Sequence, residues 1–391
     1  MKTVTRRLER PLDLVAFAGS DGYLFVRDGV GLAGQGEAAR LPRAQAQELL
    51  ADVAVDDDVQ RPGTGVVAFG ALPFAPGAGG ELVVPAVTVG RDADGTAWVT
   101  VVDGADDDVA PAPAPRAMGG AFTLRPGWDP HAFQAAVSTG RDAVRAGRLT
   151  KVVLARDIAI EAEHPIDRHA VLTRLRASFG SSHLYAVDGF LGASPELLVA
   201  RHGDVVRAHP LAGTTPRTGD PTVDARLAAQ LIASTKDQTE HRVTIEMVRD
   251  TLLPWCSYVD WEAEPSIVTV ANVQHLGTAV EGRLSKPEPS VLELVAALQP
   301  TPALGGFPRA EALDLIAQLE PFDRGPYGGP VGWVDGRGDG AWAVGIRGAE
   351  IDGRHARLLA GVGVVADSDP DAELAETQAK FQAMLSALVR P

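Results

Sequence analysis

Strand-like and helix-like patterns follow one another in this chain without a fixed order, which argues against the regular strand–helix–strand alternation of a parallel doubly wound sheet. In the first hundred residues the apolar runs YLFVRDGVGLAG, GVVAFGALPF, ELVVPAVTV and AWVTVVDG are broken by glycine and aspartate. That punctuation predicts a β-rich region over 1–104. ADDDVAPAPAPRAMGG follows at 105–120. Three aspartates and alternating Ala-Pro neither pack nor hold a helix, so this stretch reads as an exposed connection. Beyond it, over 121–391, helices and strands mix. Asp129-Pro130 makes a cap and first turn for a helix striped by Phe133, Val137 and Val144, with Gly147 near its stop. Strands are predicted at 149–162, 183–194, 266–280, 329–335, 341–351 and 356–365. Helices are predicted at 167–178, at 222–253 with a break near Ser234, and at 371–388. Such a mixture favours large antiparallel or mixed sheets with helices packed outside.

A chain of 391 residues suits one large or two medium domains. Its net charge of −15 argues against nucleic acid as a partner, because phosphate binding needs a basic face. A small anionic substrate would need a local cation. The single cysteine, Cys256, excludes an internal disulfide framework and a cysteine-rich zinc site. MKTVTRRLERPLDLV has basic residues but no apolar core of a signal peptide, and the longest apolar runs are short of a membrane span. The expectation is a cytoplasmic protein with no membrane partner. GxxxxGK[ST] and HExxH are absent, and GVGVV at 361–365 carries only half of a dinucleotide fingerprint.

The closing helix carries its charges in an unusual place. At about 100° per residue, Glu373, Glu376 and Lys380 share a side with Met384, Leu388 and Phe381. Gln378, Gln382 and Ser386 take the other side. A surface helix normally puts charge opposite its apolar stripe. KDQTEHRVTIEMVRDTL at 236–252 repeats the anomaly: Glu240 falls amid Val243, Met247, Val248 and Leu252, away from Arg242, Glu246, Arg249 and Asp250. A buried, unpaired carboxylate costs several kcal/mol. One hard divalent ion such as magnesium would satisfy all three acids. A buried salt-bridge network, with Lys380 on Glu376 four residues earlier, would satisfy them equally.

Other polar residues also sit in apolar settings. Lys151 opens the strand KVVLARD, where it is either a base with a lowered pKa or an edge lysine reaching for solvent. Glu196 lies between a mostly apolar strand and LLVA. It is either an inward acid with a raised pKa or a turn glutamate. His275 reads as a structural histidine or a ligand-binding one. HPLAGTTPR at 209–217 reads as a glycine turn or a nest of free N–H groups for an anion around Gly213 and Thr214.

Several strings together resemble one family. LQPTPALGGFPRAEAL (298–313), EPFDRGPYGGPVGWVD (320–335), AVGIRGAEI, AGVGVV and ELAETQAK are similar to the chorismate-utilising enzymes. SPELLVAR, HPLAGTTPR, STKDQTEHRVTIEMVRD and VQHLGT match in the same order. The family includes isochorismate, anthranilate, aminodeoxychorismate and salicylate synthases. PTPAL and Lys151 look most like the isochorismate synthase branch, whereas ammonia-using relatives commonly carry glutamine at the lysine position. Gln299 departs from the pattern, since relatives often have histidine before the proline.

The resemblance implies a single large α/β (α+β) domain of two stacked, mainly antiparallel sheets with helices on the outside. It implies magnesium at Glu240 and Glu376, with Glu373 contributing directly or through water. It implies Lys151 as general base and Glu196 as general acid in a reversible isomerisation of chorismate. Ala303 and Leu304 would line the pocket beside the incoming water. Arg347, with Lys380, His275 and the backbone near Gly213, Thr214 and Gly361, would hold the dianionic substrate. The expected partner is that small molecule alone, and the expected state a monomer. Isochorismate feeds menaquinone, siderophores and salicylate. The rival expectations are a salicylate synthase, which would also expel pyruvate, an ammonia-using synthase component, and an inactive metal-dependent binding protein.

Overall fold

The computed structural model describes residues 1–105, 109–270 and 273–389, and the side chains of Lys236 and Glu240 lie outside the described residues. Two large sheets, of thirteen and nine strands, and a small one of three make the frame. Among the described residues every strand pairing is antiparallel except that of Lys2–Arg7 with Ala54–Asp57.

The two large sheets stack face to face, and side-chain alternation shows why. In the strand His183–Val187, Tyr185 and Val187 point into the layer between the sheets, while Leu184 and Ala186 point the other way. Tyr23, Phe25, Trp98, Tyr185 and Phe190 from the larger sheet meet Phe69, Val83, Val331 and Trp333 from the smaller. Each such side chain taken out of water contributes about 1.5–3 kcal/mol. The outer face of the thirteen-stranded sheet is covered by the helices Leu14–Ala18, Arg168–Phe179 and Pro370–Val389. Thr235–Leu252 and Val291–Leu298 cover the nine-stranded sheet. The first hundred residues are woven into both sheets: Tyr23–Arg27 pairs with His183–Val187, and Val67–Ala71 with Pro330–Asp335. No described helix is long and apolar enough to cross a membrane.

Several elements differ from the sequence expectation. The stretch 183–194 is a hairpin, turned at Asp188-Gly189 with φ of 49° and 82°, the left-handed pair that a tight hairpin needs. The long helix does break at Ser234: Pro221–Ala233 ends there and Thr235–Leu252 starts, with the serine hydroxyl accepting from the Asp237 N–H. The stretch 341–351 is two strands in different sheets. Two further helices, Val291–Leu298 and Arg309–Leu319, carry little helical signal in the sequence. The first, VLELVAAL, is nearly all apolar and shows no polar face, and the second has no side-chain cap.

Candidate active site

The chain passes between the two large sheets at two adjacent points. Phe190–Ser194, in the larger sheet, leads through Pro195-Glu196 into Leu197–His202 of the smaller. Gly340–Val344 leads back through Gly345, Ile346 and Arg347 into Gly348–Asp352. The two crossovers are stitched together: the Val344 N–H donates to Glu196 O at 3.1 Å, and the Ala193 N–H to Arg347 O at 3.2 Å. Glu196 and Arg347 both line a cavity of about 290 Å3.

Lys151 reaches the same cavity from the first position of the strand Lys151–Ala162. That strand pairs with His355–Val364, bringing Val153 opposite Gly363. The lysine side chain runs across Gly363, where a Cβ would lie 2.5 Å from its Cε. The second glycine of GVG therefore makes room for an ammonium rather than a nucleotide. From below, the strand is held by a buried ion pair. Arg324 donates to Glu320 at 2.5 Å and to Val153 O at 2.7 Å, and Glu320 accepts from the Ala155 N–H at 2.7 Å. Arg324 also donates to Leu304 O at 3.0 Å, so the lysine strand and the Ala303–Leu304 wall share one anchor.

The small sheet supplies another wall. Leu211–Pro216 pairs with Val273–Gly277, placing Thr214 beside His275. His275 Nδ1 lies 3.1 Å from both Thr214 Oγ1 and Gly213 O, while its buried Nε2 has no hydrogen-bond partner. On the closing helix Pro370–Val389, Glu373, Glu376, Lys380, Phe381 and Met384 line the cavity together. Lys380 Nζ lies 2.6 Å from Glu376 Oε1 and donates to Gly361 O at 2.8 Å.

The sequence-predicted residues thus gather in one place: Lys151, Glu196, Gly213, Thr214, His275, Ala303, Leu304, Arg347, Gly361, Glu373, Glu376 and Lys380 all line this cavity. Glu240 is carried by the helix Thr235–Leu252, with its side chain outside the described residues. Asp237, Tyr327 and Ile346 also line the cavity and were missed. Asp237, within the quoted STKDQ, shares the apolar side of its helix with Glu240, Met247 and Val248, so the signal that marks Glu240 marks it too; Tyr327, within GPYGGP, lies in no periodic element that would mark it. Gln299 donates to the Pro73 and Phe74 carbonyls at 2.5 and 3.1 Å. At that position this chain ties the pocket loop to its N-terminal region.

Burial sets the electrostatics. It pushes Glu196 up from 4.5 to about 8, against a Leu211 N–H bond and the charge of Lys151. It pulls His275 down to about 3, helped by Arg347 and Lys380, so that ring is neutral. Burial also lowers Lys380, opposed by Glu376, and Arg347, whose guanidinium stays charged. Arg347 Nη1 is buried and without a partner.

A neutral carboxylic acid, a lysine and two further cations around one small cavity make an acid–base centre shaped for a small polyanion. The chain belongs to the chorismate binding enzyme family, whose model matches residues 112–389. It is 41% identical over 281 residues to isochorismate synthase DhbC of Bacillus subtilis (strain 168), covering 69% of this chain and 71% of that protein. It is 40% identical over 352 residues to the MenF protein of Mycobacterium tuberculosis (strain ATCC 25618 / H37Rv), covering 86% and 90%. The crystal structure of DhbC from Bacillus anthracis matches with a TM-score of 0.79 at 34% identity, covering 95% of this chain and 96% of that one. The two stacked antiparallel sheets expected from the sequence are the fold the chain has.

Proposed function

We propose that this protein is an isochorismate synthase, converting chorismate reversibly to isochorismate. The observation that carries the reading is that Lys151 and Glu196 line one cavity, with Glu196 held at about 8. At neutral pH that carboxyl keeps its proton and can donate it.

The reaction joins a water oxygen to C2, shifts the ring double bond and breaks the C4–oxygen bond. Lys151 accepts a proton from the attacking water. Glu196 gives its proton to the departing C4 hydroxyl, which leaves as water. Exchange with solvent resets both groups. Substrate and product carry the same groups, so the same pair serves the reverse direction. Arg347 and Lys380 hold the enolpyruvyl carboxylate by charge-assisted hydrogen bonds. His275 Nε2 and the Gly213–Thr214 backbone complete that cradle, and Ala303 and Leu304 border the path of the water.

The residues fit a divalent cation. Among the described lining side chains, Lys151, Arg347 and Lys380 oppose Asp237, Glu373 and Glu376, with Glu196 neutral. With Lys151 neutral, as a base must be, the acids exceed the cations by one charge. A bound dianion would add two more, an excess that one magnesium ion would reduce. No group of three metal-binding side chains is gathered among the described residues. Glu240 is the third predicted carboxylate, and it would hold the ion with Glu376 and Glu373. When bound, magnesium would supply Lewis-acid stabilisation of charge building on the ring carboxylate.

Incubation with chorismate and magnesium, resolved by chromatography, tests the reading. Isochorismate should form, cease with chelator and return with magnesium. Salicylate with pyruvate, anthranilate with ammonium, or no conversion would each overturn it.

A further inference from the structure

Tyr185 lies outside the cavity and is fully buried. Its ring belongs to the layer between the sheets, tilted 5.1 Å from Phe190. Its hydroxyl reaches across the neighbouring strands of its own sheet. It passes over Gly192 and Gly348, which pair across neighbouring strands. A Cβ on either glycine would lie 2.4 or 2.2 Å from the phenolic oxygen, so only glycine permits the passage. Beyond them the hydroxyl donates to Ile346 O at 3.0 Å.

That carbonyl belongs to the Gly345–Arg347 crossover. Arg347 there has φ of 54°, a left-handed conformation that a non-glycine side chain adopts only when its surroundings hold it. Gly345 is fixed by exchange of hydrogen bonds with Gly328 and Gly329, and the two carbonyls that flank Arg347 are held by the Ala193 N–H to Arg347 O and by Tyr185 to Ile346 O. The guanidinium that these bonds aim lines the cavity with a buried, unpartnered Nη1.

We propose that Tyr185 is a positioning residue for substrate binding: lying over Gly192 and Gly348, it pins the crossover in the backbone conformation that points Arg347 at a substrate carboxylate. This rests on the isochorismate synthase reading. Tyr185 touches no reacting atom. Loss of its hydroxyl loosens the arginine equally in the ground and transition states. The effect therefore falls on KM rather than kcat.

The test is Tyr185→Phe, which keeps the ring and removes one donor. KM for chorismate should rise roughly 5- to 20-fold with kcat within about twofold. In an Arg347→Lys background the same substitution should change KM less than about twofold, because the group it positions is gone. Tyr185→Met also covers the two glycines without a donor and should reproduce the shift if the phenylalanine variant does not fold. An unchanged KM, a loss confined to kcat or to the folded fraction, or an equal KM shift in the Arg347→Lys background would each overturn the proposal. Wild-type protein run alongside separates the two failures: without conversion of chorismate the reading of the site falls, whereas conversion with an unshifted variant KM removes only the role of Tyr185.

Discussion

Burial of Glu196 has a consequence that can be measured directly. An ordinary glutamic acid near 4.5 is about 0.3% protonated at pH 7, whereas one near 8 is about 90% protonated. Desolvation thus raises the fraction of enzyme carrying the donor about 300-fold, worth about 3 kcal/mol at 1.36 kcal/mol per unit. If this proton goes to the leaving hydroxyl, kcat/KM should hold its value through neutrality and then fall on a limb with its midpoint near 8. The slope above that midpoint should approach tenfold per pH unit. Because kcat/KM reports the free enzyme, the ligand-free environment of Glu196 is the relevant one. The assay is chromatographic isochorismate formation at subsaturating chorismate between pH 5.5 and 9.5. Glu196→Gln should lower kcat/KM by about 10²–10⁴-fold and abolish the limb. A profile flat beyond pH 9, a midpoint in the ordinary carboxyl range, or the same limb in the residual activity of Glu196→Gln would refute the assignment. Stability offers a second reading of the same proton. The folded-state pKa lies above the unfolded one, so the folded protein holds a proton that the unfolded chain releases. Stability therefore falls as pH rises from the ordinary carboxyl range towards 8 and levels off above it. Glu196→Gln lacks this component, and its melting temperature should gain on the wild type over that window.

Lys151→Met should reduce turnover by about 10²-fold or more while leaving the melting temperature nearly unchanged, as checked by calorimetry beside the rate assay. Gly363→Ala should displace the lysine, because the new Cβ would lie 2.5 Å from Lys151 Cε. Its turnover should fall at least about tenfold with the fold retained, and wild-type turnover would show that the lysine reaches the site by another path. Arg324→Met should lower unfolding free energy in urea by about 3–5 kcal/mol, since Glu320 is left charged in a pair whose side chains are each 2% exposed. The double replacement Glu320→Met with Arg324→Met should recover much of that loss.

How far the sequence reveals this site depends on what kind of signal each residue leaves. Glu373, Glu376 and Lys380 are legible because a helix repeats every turn, so a charge on the apolar side stands out from its neighbours. They line the cavity beside Phe381 and Met384, as that pattern implies. Of the two readings left open for them, the ion pair is present, since Lys380 binds Glu376, and the two acids also line the cavity. Lys151 and Glu196 are less visible, because one lysine at a strand start and one glutamate at a turn carry no period, and only the run of motifs singled them out. Asp237 carries the same helical signal as Glu240, since it too falls on the apolar side of its helix, whereas Tyr327 in a glycine-rich turn leaves no local trace. The sequence predicts an uninterrupted strand across the crossover at 345–347, because nothing in GIRG marks a break. The change of sheet is enforced by the left-handed Arg347 and by Tyr185, 161 positions away, and no window of neighbouring residues contains that information.

The two sheet crossovers also explain how one fold can bury an acid and an arginine around one cavity without their neutralising each other. A strand interior would have its backbone groups taken by the ladder and its side chains sent to one face or the other. At a point where the chain changes sheets, neighbouring residues leave both faces and turn towards the gap between the layers. Pairing Glu196 O with the Val344 N–H, and Arg347 O with the Ala193 N–H, satisfies the crossover backbones through each other. The side chains are then free of structural duty. Burial raises the glutamate until it is neutral, and a neutral acid has no charge to attract the guanidinium. Arg347 is left with a buried Nη1 seeking an anion. An acid ready to give a proton and a cation ready for a carboxylate follow from the same geometric event. Moving either residue out of the crossover into the adjoining strand would return its side chain to one face of a sheet and remove it from this arrangement.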